Sequence, residues 1–179
     1  MTTETECSRA SARWYAVWTR SRQEKSAAMI LDALSIPHYL PMKSELRQWS
    51  DRKQTIWSPL FSGYLFVRID LGRENQLQVL QTPGIVSLVG NQTGPLPIPD
   101  QEIESIRKVL DCGASYTECD LLKTGDRVRV VRGALAGVEG TLIRVHSETR
   151  LVLSVEMIQR SIAVSVSRLD VEFAMTDAA

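Results

Sequence analysis

Residues 125–145, GDRVRVVRGALAGVEGTLIRV, limit most strongly what this chain can fold into. Val128 and Val130 alternate with arginines, and a period of two residues is that of a β-strand. Three glycines, at 133, 137 and 140, then fall within eight residues and lead into a second β-branched run. Because glycine allows positive φ and tight bends, the segment predicts a hairpin whose second strand is kinked.

The residues that follow keep the character of a β-domain. Apolar side chains alternate with others around 151–155 and again around 162–166, and no helical stripe occurs after residue 121. About five short strands in about fifty residues indicate a small antiparallel β-barrel. We assign the barrel to residues 122–173 and a flexible tail to residues 174–179.

The first part of the chain mixes strands with helices. WYAVWTR, residues 14–20, is typical of a strand, and the SRQE that follows predicts a capping box between Ser21 and Glu24 at the start of a helix. The alternation continues to a helix near residues 100–110. It predicts an α/β sandwich over residues 13–110, with an antiparallel sheet flanked by helices, after a flexible N-terminus at 1–12. Residues 111–121 are small and polar and predict a linker. The fold class is therefore α+β.

The segment PLFSGYLFVRID contains a strand with two different faces. Tyr64 and Phe66 fall on one face, while leucine, valine and isoleucine at 65, 67 and 69 fall on the other. A small sandwich buries only one face of its sheet fully, so the aromatic face is either core or a binding patch. The pattern favours these two alternatives equally.

The charges balance over the whole chain but not locally. Lys+Arg and Asp+Glu both total 21, so the net charge is zero. This balance speaks against a protein that binds nucleic acid non-specifically through its overall charge. Residues 9–25 contain five basic residues and one acidic residue, and residues 43–68 contain five basic residues and two acidic residues. These segments form either solvated loops or a patch that contacts phosphates. The candidates for nucleic-acid contact are Arg20, Arg22, Arg47, Arg52 and Lys53.

No catalytic motif is present in the sequence. It contains no P-loop, no GxGxxG after a strand and no HExxH, and neither histidine lies near a recognisable nucleophile. Three cysteines without CxxC spacing and two histidines do not predict a metal site. The polar N-terminus predicts no secretory signal, and no apolar stretch approaches a membrane span. We expect a cytoplasmic protein that is not an enzyme, with no catalytic residues, no cofactor, no metal and no membrane association.

The ordered segments WYAVWTRSRQEKSA, HYLPM, PLFSGYLFVRID, QTPGIVSLVG and PIPDQEIESIR resemble the N-terminal (NGN) domain of NusG-type transcription elongation factors. Residues 125–145 resemble a KOW motif, and the resemblance covers about residues 13–173. It implies an NGN-like sandwich joined to an SH3-like, five-stranded KOW barrel. Ser62 departs from the family, in which proline usually precedes this glycine, so the turn there is in doubt.

The resemblance also implies partners. The NGN domain of such factors binds the clamp helices of the largest RNA polymerase subunit through an exposed hydrophobic patch, which places Tyr64 and Phe66 at that contact. Basic residues of the domain lie near upstream or non-template DNA. The KOW barrel recruits a small-subunit ribosomal protein or Rho, and Gly133, Leu135, Gly137 and Gly140 form the turn involved. We expect an exposed Leu135 and a nucleoid-associated monomer.

Two further interpretations remain. GYLFV and the short length are more similar to specialised, RfaH-like antiterminators of long operons than to the housekeeping factor, which is the alternative within the family. A ribosome-associated RNA-binding module would need a basic barrel. Residues 113–179 hold eight Lys+Arg and nine Asp+Glu, which speaks against that module.

Overall fold

The computed structural model describes residues 12–48, 53–120, 125–145 and 148–174. The chain divides into two compact units, residues 1–98 and residues 99–179. The first unit contains helices α1 (Glu24–Ala33) and α2 (Arg73–Gln81), and the second contains α3 (Asp100–Asp111). No helix among the described residues is long and apolar enough to cross a membrane.

The first unit is built around an antiparallel sheet of four strands in the order β2-β5-β1-β6. Strand β5 pairs with β1 over six residues and with β2 at its outer edge. A separate hairpin is formed by β3 and β4, and a short ladder by β7 and β8. The strands of this unit are β1 (Arg13–Thr19), β2 (His38–Tyr39), β3 (Met42–Gln48), β4 (Lys53–Pro59), β5 (Tyr64–Ile69), β6 (Ile85–Leu88), β7 (Gly90–Asn91) and β8 (Gly94–Pro95).

One face of this sheet forms the core together with both helices. Leu65 and Val67 of β5 are completely buried, and they cluster with Leu31 of α1 and Val79 of α2. The apolar stripe that the sequence showed in α1 therefore meets the apolar face of β5, as amphipathic packing requires. This layer fixes β5 and leaves its alternate side chains on the opposite face.

The predicted capping box at the start of α1 is wrong. The helix begins at Glu24, with Gln23 at the N-cap and no side-chain cap. Arg22 has a φ of 62°, in the left-handed region, so the chain turns sharply just before the helix. This turn separates Ser21 from the first helical amides and leaves the Glu24 carboxylate available for another partner.

The second unit contains an antiparallel sheet of six strands in the order β14-β10-β11-β12-β13-β9. A predominantly β domain is confirmed, with one strand more than the five expected. The strands are β9 (Tyr116–Asp120), β10 (Asp126–Val130), β11 (Glu139–Val145), β12 (Glu148–Val155), β13 (Arg160–Ser165) and β14 (Val171–Phe173). Valine, leucine and isoleucine side chains of β10, β12 and β13 fill its core.

The additional strand lies where the sequence predicted a linker. Within residues 111–121, β9 pairs with β13 over five residues, with Ile162 opposite Glu118. The short, polar sequence of β9 does not predict a strand, because β9 lies at the edge of the sheet, where side chains need not be apolar. The helix α3, which the sequence assigned to the first domain, falls in the second unit. The domain limits given above stay predictions.

Candidate functional site

The aromatic face of β5 lies opposite the helical core. In the register with β1, Tyr64 pairs with Trp18, Phe66 with Ala16 and Arg68 with Trp14. Directly opposed residues of an antiparallel pair project to the same side of the sheet. The two-faced reading of β5 is therefore consistent with the structure, and the face opposite the core is rich in rings.

Phe66 is not exposed, contrary to what the family resemblance implied. Its exposed fraction is 0%. The ring of Phe61 meets it edge-on with centroids 6.2 Å apart, and the ring of Tyr39 stacks against it at 6.4 Å. Tyr39 is also its neighbour in the β2–β5 register. Phe66 is therefore part of an aromatic cluster within the first unit. Because its side chain is fully buried, it cannot contact a partner directly.

The exposed part of this face lies at the end of β1 and the start of β5. Trp18 exposes 50% of its surface, and its partner Tyr64 is partly exposed. Trp57 of β4 exposes 57%. Large aromatic side chains that are half exposed to solvent are typical of binding surfaces. The sequence pattern does not identify either tryptophan as a binding candidate, because only the strand register shows that Trp18 lies beside Tyr64.

A tight turn shapes the edge of this surface. The amide of Tyr64 donates to the carbonyl of Phe61 at 3.1 Å, and Gly63 has a φ of 84°. A positive φ at the third residue is the signature of a type II turn, in which proline is common at the second position. Ser62 occupies that second position. The turn therefore forms with serine, and the ring of Trp18 lies 3.8 Å from the point where a Gly63 side chain would begin.

Glu24 fastens the same turn to helix α1. Its carboxylate is buried and accepts a hydrogen bond of 2.7 Å from the Gly63 amide. The next residue, Lys25, donates from Nζ to the Trp57 carbonyl at 2.7 Å. Helix α1 thus anchors the 61–64 turn and strand β4, which hold Tyr64 and Trp57.

The exposed charges beside the tryptophans are basic. Arg20, Arg22 and Lys25 are exposed, and the single acid between residues 18 and 26 is the buried Glu24. Arg20 is held in place by its amide, which donates to the Gly84 carbonyl at 2.8 Å. Of the other basic candidates, Arg52 and the side chains of Arg47 and Lys53 lie outside the described part of the chain. The backbone of Arg47 and Lys53 lies in the β3–β4 hairpin.

The predicted exposure of Leu135 in the second unit is also wrong, because only 9% of its surface is exposed. Around it the chain turns twice, since the Ala136 amide donates to Gly133 and the Val138 amide to Leu135. These turns direct the leucine inward and leave Ala134 at the surface.

The three glycines of this segment have two different roles. Gly133 and Gly137 have φ values of 80° and 89°, which side chains rarely adopt. Gly140 instead lies in β11, where a side chain would begin 2.6 Å from the Val152 carbonyl. The predicted tight turn therefore depends on Gly133 and Gly137, whereas Gly140 is required by the close approach of β12. The register of β11 with β10 and β12 is regular, so the predicted kink of the second strand is not observed.

The sequence of this chain is similar to those of known proteins of one family. A family model described as transcription termination factor nusG covers residues 12–107. The transcription termination/antitermination protein NusG of Thermus thermophilus is 32% identical over 157 residues, which is 77% of this chain and 85% of the relative. The NusG of Pseudomonas aeruginosa is 26% identical over 172 residues, or 89% and 97% of the two chains.

The fold also matches a solved structure. A structure of Thermotoga maritima NusG, described as showing domain interaction, aligns with a TM-score of 0.51 over 90% of this chain and 97% of its own. The sequence identity is 22%, so this likeness shows the fold alone. Since the family model covers more than half of the chain and a relative matched over 85% of its length is 32% identical, the chain belongs to the NusG family of transcription termination and antitermination factors.

Proposed function

We propose that this chain binds RNA polymerase during elongation through the exposed aromatic surface formed by Trp18, Tyr64 and Trp57. The observation that carries the proposal is the half-exposed Trp18 beside the partly exposed Tyr64, together with the exposed Trp57 of β4, whose carbonyl is bound by Lys25 of α1. Family membership supports the choice of partner, because the resemblance implies that this sheet contacts the polymerase clamp helices. The proposed role needs no catalytic residue.

The surface has the composition of a protein-binding hot spot. Tryptophan and tyrosine are enriched among residues that dominate binding energy, because they bury a large area at low entropic cost. Here the backbone behind them is held by strand pairing, by the Glu24–Gly63 bond and by the Lys25–Trp57 bond. A rigid platform loses little freedom on binding, which favours affinity.

Binding would act on transcription by shifting the polymerase population between its paused and its processive states. If the factor binds the closed, processive clamp more tightly than the paused state, it moves the polymerase toward elongation by that difference in affinity. Antitermination follows from the same difference, since a paused polymerase is the one that terminates.

The contact is tested with the full chain and a peptide hairpin of the polymerase clamp helices. Truncating a central tryptophan costs 2 kcal/mol or more at a hot spot, so Trp18→Ala should weaken binding by about 30-fold or more. Met29→Ala is the matched control, because Met29 is exposed on α1 and is no part of the proposed surface. Equal affinities of Trp18→Ala and wild type, at unchanged stability, would overturn the proposal.

The basic edge formed by Arg20, Arg22 and Lys25 is proposed to contact upstream or non-template DNA in the same complex. Its exposed charges are all positive, which favours phosphate binding. Replacing Arg20 and Arg22 with glutamine should reduce the salt dependence of binding to an elongation complex. The same variant should leave binding to the isolated clamp helices unchanged, which separates the two contacts.

The barrel is proposed to recruit a second partner, a small-subunit ribosomal protein or Rho. With Leu135 buried, the surface of the turn consists of its neighbours Arg132 and Ala134, which are exposed. Ala134→Arg should therefore weaken this contact without disturbing the barrel. If the variant captures both candidate partners as well as wild type does, the turn is not the contact.

We also propose an operon-specific role, which the similarity of GYLFV in β5 to specialised antiterminators supports. Chromatin immunoprecipitation of the tagged chain decides between the two roles. Occupancy confined to a few long operons supports the specialised role, whereas occupancy on most transcribed genes indicates the housekeeping role.

A further inference from the structure

Helix α3 lies against the six-stranded sheet within the second unit. On the helix, Gln101 and Lys108 are seven residues apart and therefore share a face. The side-chain amide of Gln101 donates to the Gly137 carbonyl at 3.2 Å, and Lys108 donates to the carbonyl of Ala136. The helix is thus fastened to the 133–138 turn by two polar side chains.

Glu102 is held at the same junction. Its carboxylate accepts a hydrogen bond from the backbone amide of Glu156, which follows β12. The residue is only partly exposed and borders an open cavity of about 600 Å³ between the helix and the sheet. The helix therefore presents an ionisable group to the sheet at the point where the two meet.

The charges around Glu102 come from both sides of the junction. Glu156 repels its charged form and Arg127 of β10 attracts it. Glu139 of β11 lines the same cavity. On the helix itself, Glu104 pairs with Arg107 and is more exposed. Glu102 thus lies near two carboxylates, those of Glu139 in the sheet and Glu156 just after β12, and near the Arg127 guanidinium.

Burial is the main reason why the pKa of Glu102 is raised to about 7, since it disfavours the charged form. The Glu156 carboxylate raises this pKa further, while the Glu156 amide and Arg127 lower it. If α3 moved away from the sheet, Glu102 would return to water and to its ordinary pKa.

We propose that Glu102 makes the docking of α3 on the sheet responsive to protons: protonation fastens the helix, and ionisation loosens it. Because the docked form holds the proton more tightly, docking is strongest at low pH. It weakens as the pH rises from the ordinary pKa of 4.5 to about 7, and it stays constant above that. Loosening α3 frees the carbonyls of the 133–138 turn. This inference does not depend on polymerase binding.

The backbone amide of Glu156 is a specific reporter of docking, because its hydrogen bond to Glu102 crosses the junction. The amide of Val138 is the internal control, since it donates to Leu135 at 3.0 Å within the turn. Amide hydrogen exchange is measured by NMR on the full chain from pH 5.5 to 8.5. Each rate is corrected for its intrinsic dependence on pH.

In the wild type, the protection of the Glu156 amide should fall by about 10- to 100-fold over this range, while that of Val138 stays constant. Glu102→Gln retains an acceptor oxygen without a titrating group, so its protection should not depend on pH. Glu104→Gln should behave as the wild type does.

A third variant keeps the inference testable if Glu102→Gln does not fold. Glu156→Gln retains the reporter amide but removes the repelling carboxylate, which lowers the pKa of Glu102 in the docked state. Protection should therefore fall by a smaller factor than in the wild type and become constant at a lower pH. Constant protection of Glu156 in the wild type would overturn the inference. An equal fall in Glu102→Gln would also overturn it.

Discussion

Replacing Phe66 with alanine should destabilise the first unit rather than remove a surface contact. Phe66 has an exposed fraction of 0% and contacts the rings of Phe61 and Tyr39. Truncation of a buried phenylalanine costs about 3–5 kcal/mol, because transfer free energy is lost and a cavity remains. Since domains are stable by about 5–15 kcal/mol, this is a large share of the total.

Urea unfolding followed by tryptophan fluorescence measures this loss. All four tryptophans lie between residues 14 and 57, so the signal reports the first unit. The midpoint should fall strongly for Phe66→Ala, with little change in slope. Phe66→Leu keeps most of the apolar volume and should cost about 1–2 kcal/mol. The exposed control Met29→Ala should change stability by less than about 0.5 kcal/mol.

The reasoning would be refuted by a Phe66→Ala protein that loses less than about 1 kcal/mol. Such a result would mean that the ring is not enclosed by Phe61 and Tyr39 in solution. It would return Phe66 to the set of residues available for binding, as the family resemblance implied.

Three further substitutions test the local structure by thermal unfolding. Glu24→Ala should cost about 1–3 kcal/mol, because it leaves the part-buried Gly63 amide without its acceptor; a loss below 0.5 kcal/mol would contradict this. Ser62→Pro should stabilise the type II turn by about 0.4–1 kcal/mol, and a lower melting temperature would exclude that turn type. Gly140→Ala should destabilise the second unit by about 1–3 kcal/mol, since the new carbon lies 2.6 Å from the Val152 carbonyl, and an unchanged melting temperature would refute this close approach.

The sequence predicted the periodic features of the fold. Alternation separated Leu65 and Val67, which join the helical core, from Phe66, which does not. These features follow from the local period of the side chains, which the sequence displays directly.

Burial of the opposite face could not be predicted in the same way. Phe66 is covered by Phe61 from a turn and by Tyr39 from an edge strand, and neither contact follows from the period of β5. Leu135 is similar, because two consecutive turns decide whether its side chain points inward. Strand β9 was missed because edge strands need no apolar pattern. Each failure concerns a contact between segments rather than the pattern within one.

The central claim is that the exposed tryptophan surface couples this chain to the elongating polymerase. Single-round transcription on a template with a strong pause, with and without the full chain, tests it most directly. The account predicts that the wild type shortens the pause, that Trp18→Ala at equal concentration and unchanged stability does not, and that Met29→Ala acts as the wild type does. A Trp18→Ala protein that shortens the pause as fully as the wild type would contradict the account.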